Sequence, residues 1–218
     1  MRLSEKIYEI GEVMVNCKVC GEKDHIENSE FIPPRCLYLD PKECTELSCV
    51  VVGINPGWLK VGSREYVAYK ASKDDSKYRT QVEYFKNNKG VIRYSKGVDT
   101  LLTAIGLREN GKGVLWTELC KCQLLEDSDV LPLQTFRRCA SRYLINELKA
   151  SGEVPIVAVG NQPYNILSFF CPDRAVIGVL HPTGSRIKYT NYIQKVGKQK
   201  QQIKEAIRKK ECLWLASV

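Results

Sequence analysis

The sequence predicts an α/β protein of three layers, α/β/α, around a central, mostly parallel four-stranded sheet. Two observations carry this. Four short apolar or β-branched runs, near residues 50–52, 113–119, 155–159 and 175–180, alternate with stretches whose apolar residues recur at helical spacing. Such alternation implies parallel strands joined by crossover helices that cover both faces of the sheet. The second is size: 218 residues with 44% hydrophobic content support one sizeable core. We therefore expect one domain over residues 1–218, with a distinct N-terminal segment of about residues 1–46. The first twelve residues mix charge with apolar positions, and no stretch is long enough to span a bilayer, so a cytoplasmic protein without membrane contact is expected. In that compartment disulfides are rare, and ten cysteines point to metal ligation by some and apolar packing by the others.

Leu3, Ile7, Ile10, Val13 and Met14 predict an opening helix that Asn16 closes. Cys17-Lys18-Val19-Cys20-Gly21 follows. Two thiols two residues apart on a tight turn can grip one metal ion or cluster. A redox pair is the alternative, but that motif opens a helix after a strand, and this one follows a helix. Residues 21–46 carry Pro33, Pro34 and Pro41 and read as an irregular arm. Cys36, Cys44 and Cys49 are open as further ligands on chemistry alone. His25 stands at a zinc-like distance from Cys20, with a surface-loop histidine as the plainer reading.

Val50, Val51 and Val52 form the first central strand, which Gly53-Ile54-Asn55-Pro56-Gly57 stops abruptly. A loop at the carboxyl end of a central strand is where open α/β sheets bind ligands. Its two glycines admit close approach, and Asn55 can both donate and accept hydrogen bonds. Residues 58–88 place Tyr66, Tyr69, Tyr78, Tyr84 and Phe85 among bases in helical stretches without sharp boundaries. Val98, Leu101, Leu102 and Ile105 mark a helix ending before Gly106. The strand over residues 113–119 leads into Cys120-Lys121-Cys122. Phe136, Ala140, Leu144 and Leu148 predict a helix with Cys139 in its first half. A strand over 155–159, a helix over 161–170 and a strand over 175–180 follow, and His181-Pro182-Thr183-Gly184-Ser185-Arg186 leaves the last of these. A long basic helix closes the chain. Three chemistry-bearing loops, at Asn55, Glu118 to Cys122 and His181, thus leave one edge of the sheet.

The formal charge is +8. Nine of the basic residues fall between Arg186 and Lys210, with Glu205 as the only acid there. This suits a polyanion, although solvated helix faces can be as basic.

Gly53-Ile54-Asn55-Pro56-Gly57 followed by His181-Pro182-Thr183 resembles the paired active-site motifs of the uracil-DNA glycosylase superfamily, with Asn at the third position as in its mismatch-specific and single-strand-selective branches. Cys17, Cys20, Cys122 and Cys139 are similar to the four ligands of the iron–sulfur (family 4) branch. There the third ligand follows Lys after a strand and the fourth lies in the next helix. The likeness spans nearly the whole chain, apart from an apparent insertion between Trp58 and Arg93.

That resemblance implies base excision from DNA carrying a damaged or deaminated base, by a monomer with a structural [4Fe–4S] cluster on the four thiols. Zinc on the same set is the alternative. The chemistry requires the nucleotide to leave the stack and enter a pocket. Asn55 then resembles the residue that orients water toward C1′, and His181 the donor to uracil O2 as charge develops. Ile54, Tyr94 and Glu118 would lie at the base, with Tyr66 and Tyr69 as rivals for the stacking ring. Gly57, Thr183, Gly184, Ser185 and Arg186 would face the DNA. Arg186 would fill the gap left by the flipped nucleotide or pair with phosphate.

Two departures matter. The iron–sulfur branch has an acid and a small residue where Ile54 and Asn55 stand. Glu118 occupies the place of the Asn that reads the uracil edge, and an ionised Glu only accepts. It would repel uracil O4 unless protonated, bridged by water or turned elsewhere. A different base (hypoxanthine or mismatched thymine) and a non-catalytic iron–sulfur DNA-binding protein are therefore the alternative functions. A thiol redox protein using Cys120 and Cys122 is a third.

Overall fold

The computed structural model describes residues 2–20, 26–27, 33–41, 43–57, 59–60, 62–71, 77–124, 131–183 and 188–215. In chain order the elements begin with α1 (Leu3–Val15), β1 (Ile26–Glu27), β2 (Tyr38–Asp40) and β3 (Leu47–Gly53). Helices α2 (Arg64–Ala71), α3 (Lys77–Asn88) and α4 (Arg93–Ile105) lead to β4 (Gly113–Glu118) and β5 (Gln123–Leu124). Next come α5 (Leu133–Cys139), a π-helical turn (Ala140–Leu144), α6 (Ile145–Ala150), β6 (Ile156–Val159), α7 (Asn161–Phe170) and β7 (Val176–Val179). The chain closes with α8 (Tyr189–Gly197), α9 (Lys200–Lys209) and β8 (Cys212–Trp214).

The main sheet runs β2–β4–β3–β6–β7–β8, and β1 pairs with β5 apart from it. All neighbours in the main sheet are parallel except β2 and β4. Side chains alternate across a strand, and every residue of β3 is buried. Val50 and Val52 join Met14, Phe136 and Leu144 in one core layer. Val51 joins Val98, Leu101, Leu102 and Val196 in the other. Two covered faces explain why the strands read as unbroken apolar runs. Among the described residues no helix is long and apolar enough to cross a membrane.

The three-layer class is as expected, but the sheet has six strands where four were expected. The added strands, β2 and β8, are three residues each and lie at the two sheet edges. Edge strands this short draw their register from the neighbour, so their own sequence carries little period. The long basic helix expected at the C-terminus is two helices separated at Lys198 and Gln199, followed by β8. The helix carrying Cys139 is interrupted directly after that residue by the π-helical turn. Such insertions are frequent at functional sites.

Candidate functional site

At the carboxyl edge of the main sheet lies a cavity of about 340 Å³. Its walls include Gly53, Ile54, Asn55 and Gly57 after β3, Thr117 and Glu118 at the end of β4, and His181 and Thr183 beyond β7. The β3–β4 ladder continues into this wall: Leu119 N–H donates to the Gly53 carbonyl at 2.9 Å and Cys120 N–H to that of Ile54 at 3.0 Å. The Asn55 amide donates to the Pro56 carbonyl at 2.9 Å, which sets its orientation at the rim.

His181 is half-buried, and burial holds its imidazole below the usual histidine range, so the ring is neutral at pH 7. Thr183 N–H lies 3.3 Å from Nδ1, and the Thr183 hydroxyl 3.0 Å from it. With Nδ1 accepting, the neutral ring carries its proton on Nε2, the tautomer that can donate to a ligand. Tyr94, near the start of α4, packs beside this ring with centroids 5.1 Å apart. The loop reaches Tyr94 because residue 97 is glycine: a Cβ there would meet Pro182 Cβ at 2.9 Å. Tyr94 lines the cavity, whereas its rivals do not. Tyr69 instead packs with Leu59, partly covered by Tyr66, and donates to Glu65 at 2.9 Å.

Glu118 is 7% exposed, and its Oε2 has no hydrogen-bond partner. The carboxyl lies against the end of β3, where a Cβ on Gly53 would land on Oε2. Burial pushes its titration up to about 8, against the opposing pull of Lys121 and Arg35. Glu118 thus lines the cavity with its carboxyl packed against Gly53, and burial favours the protonated form.

Sequence reasoning missed Arg35 and Cys36, which also line the cavity. Arg35 is almost wholly buried. It donates to the Gly57 carbonyl and to Gln123 Oε1 at 2.9 Å, and its Nε sits 3.5 Å from Glu65, while Nη1 has no hydrogen-bond partner. The available signal was a charged residue directly after Pro33-Pro34 in an otherwise apolar turn. The Cys36 thiol is pushed up to about 12, first by burial and then by Glu118. Cys36 thus belongs to this cavity rather than to a metal set.

A second, small cavity is lined by Cys17, Cys20, Cys122 and Cys139, together with Cys120. Burial and then Cys139, Cys17 and Cys20 all push the Cys122 thiol up, so those three thiols lie near that of Cys122. Cys139 is held low, chiefly by a hydrogen bond with Cys120, and Lys121 N–H approaches its sulfur at 3.2 Å. Cys44 and Cys49 lie elsewhere, against Gly113 and beside the Leu107 carbonyl. Among the described residues no group of three or more His, Cys, Asp or Glu side chains is arranged to hold a single metal ion. Four thiols lining one cavity are the donor chemistry that both a thiolate-bound cluster and a zinc site use. His25, Gly184, Ser185 and Arg186 lie outside the described residues.

Between the two cavities, Lys121 turns inward and is wholly buried. Its ammonium contacts Thr117, the Glu118 carbonyl at 2.8 Å and Glu147 Oε2 at 2.7 Å, and Thr117 also donates to Glu147 at 2.6 Å. One loop therefore sends thiols to one side and fixes the cavity wall on the other. Elsewhere, three of the C-terminal basic residues are paired locally with two carboxylates: Arg208 and Lys209 share Glu205, and Lys210 meets Glu153.

No family model matches the chain, and no curated protein sequence matches it.

Proposed function

We propose that this protein is a DNA glycosylase that hydrolyses the N-glycosidic bond of uracil or a related deaminated base, with a structural [4Fe–4S] cluster on Cys17, Cys20, Cys122 and Cys139. The observation that carries this reading is the meeting of Asn55, His181 and Tyr94 in one cavity at the carboxyl edge of the sheet, from elements far apart in sequence. Four buried polar atoms of residues lining that cavity, on Glu118, Tyr94, Trp116 and Arg35, have no hydrogen-bond partner. Unmade hydrogen bonds of this kind are costly, and they put polar groups into the wall of the site.

A base drawn out of the DNA stack enters the cavity beside the Tyr94 and His181 rings. As the glycosidic bond lengthens, negative charge develops on the leaving base, and Nε2–H of the neutral His181 donates to its carbonyl oxygen. Asn55 cannot take a proton as a strong base, but its amide orients water toward the sugar carbon. The cluster supplies a cross-link: it ties the end of α1 to the loop after β4 and to α5.

The test is incubation of the purified protein with oligonucleotides carrying uracil, hypoxanthine or mismatched thymine, followed by alkaline strand scission. Release of a free base supports the reading. DNA binding with no release from any substrate favours a non-catalytic iron–sulfur binding protein. Broad absorbance in the visible blue after anaerobic purification, with stoichiometric iron and sulfide, distinguishes the cluster from zinc.

A further inference from the structure

The helical layer that holds α5, α6 and α7 carries an apolar groove that belongs to neither cavity. Its volume is about 630 Å³, and Ala140, Leu144, Ile145, Leu148, Leu167 and Phe170 line it. Its walls also include residues 152–153 and 171–174, which precede β6 and β7. The groove therefore reaches the amino edge of the sheet, opposite the edge of Asn55 and His181.

Beside it stands a ridge of three rings. Phe170 meets Phe136 edge-on with centroids 5.2 Å apart, and Phe169 meets Phe170 in the same manner at 5.6 Å. Exposure rises outward along the ridge from 2% at Phe136 to 53% at Phe170 and 81% at Phe169, the most exposed large apolar side chain among the described residues. Ile145, in the groove wall, is 46% exposed. A single exposed apolar residue is ordinary, but a ring propped up by other rings beside an open apolar groove marks an interaction surface.

Three features name its occupant. Phe169 takes no part in the walls of its own groove, so ring and groove lie side by side. A two-fold axis between them seats the ring of each copy in the groove of the other. The rim also carries both signs of charge. Among the described residues Arg137, Lys149 and Asp173 have no ion pair there, whereas Lys210 holds Glu153, and the carbonyls of Leu148, Gly152 and Val154 hold the Arg174 guanidinium. Cations and an anion around one apolar patch complement themselves under such an axis. Area sets the strength. A phenylalanine ring buries about 150–250 Å², so two rings from each copy and the walls they cover take about 1,000 Å² out of water. That is the lower bound of a specific interface, which makes the association reversible.

We propose that the Phe169–Phe170 ridge and this groove form a self-complementary surface through which two copies of the chain dimerise, Phe169 of each seated against Ile145 and Leu144 of the other. The two-fold axis closes the assembly at two chains and leaves both base cavities uncovered. The dimer does not depend on the glycosylase reading.

Sedimentation equilibrium of the intact wild-type chain across micromolar concentrations should give an average mass that rises from one chain toward two and no further. Phe169→Ser removes the ring, and Ile145→Glu places a charge in the groove wall. Each alone should raise the dissociation constant at least tenfold, the usual cost of losing a central aromatic anchor or its pocket. Both positions face solvent in the single chain, so at dilutions where the wild type is monomeric all three proteins should melt together. Mixed in equal amounts, the two variants regain one ring-in-groove contact that neither has alone, and the mixture should associate more tightly than either.

A wild type that stays monomeric throughout overturns the proposal and leaves the groove to a foreign partner. Association that Phe169→Ser does not weaken, a mixture no tighter than its components, or a mass that climbs past two chains overturns it as well. None of these outcomes touches base release.

Discussion

Two side chains lining the cavity, Asn55 and His181, are each positioned by hydrogen bonds to residues one or two positions away rather than by a long network. Replacing either by alanine should therefore leave the fold intact. Asn55→Ala and His181→Ala should each slow base release by about 10²–10³, with DNA affinity largely retained, as single-turnover rates and filter binding would show. An unchanged rate in Asn55→Ala would remove that residue from the reaction. Glu118 makes a separate prediction on stability. Its carboxyl titrates at 4.5 when solvated and at about 8 here, so between those values the folded state holds a proton that the unfolded state releases. Stability must then fall as pH rises through that window. The melting temperature of Glu118→Gln should show a shallower decline over the same range.

At the scale of elements, the approach of α4 to the loop after β7 depends on Gly97. Gly97→Ala forces Pro182 to move, and crowding of this kind costs about 1–3 kcal/mol. Both thermal stability and base release should drop, because His181 precedes the displaced proline. The buried pair of Lys121 and Glu147 joins β4 to α6. Glu147→Ala strands an ammonium in the core and should lower unfolding free energy by about 3–5 kcal/mol in urea titrations. These elements differ in how far they could be read beforehand. The valine run of β3 and the stripe of α4 announce themselves, because burial on two faces leaves an unbroken apolar run and burial on one face leaves a period. The ligand loops were legible for the same reason: they begin where those runs stop. Glu147 was not legible, since on a helix it looks like any solvent-facing acid until the fold brings Lys121 opposite. Arg35 was hidden likewise, its neighbours arriving from Gly57 and Gln123. The split between α8 and α9 has no proline to signal it.

For the whole molecule, the proposed cluster would cross-link the first helix to the middle of the chain, and that connection is long in sequence. Cys122→Ser should lose iron and visible absorbance and melt at a lower temperature than the wild type, with the loss appearing in metal analysis before any in activity. The charge of the C-terminal region is smaller in effect than its residue count implies, since Glu205 and Glu153 already hold three of its cations, although exposed pairs of this kind are weak.

The last strand has a bearing on handling the protein. β8 pairs with β7 from Val176 and Cys212 to Gly178 and Trp214, and Trp214 lies against Tyr164 with ring centroids 5.0 Å apart. Those three residues are the seal on one margin of the sheet. A version cut after Lys210 keeps every group of both cavities, yet uncovers a row of backbone donors and acceptors along a wholly apolar strand. Light scattering should find the shortened chain self-associating at concentrations where the full chain stays dispersed.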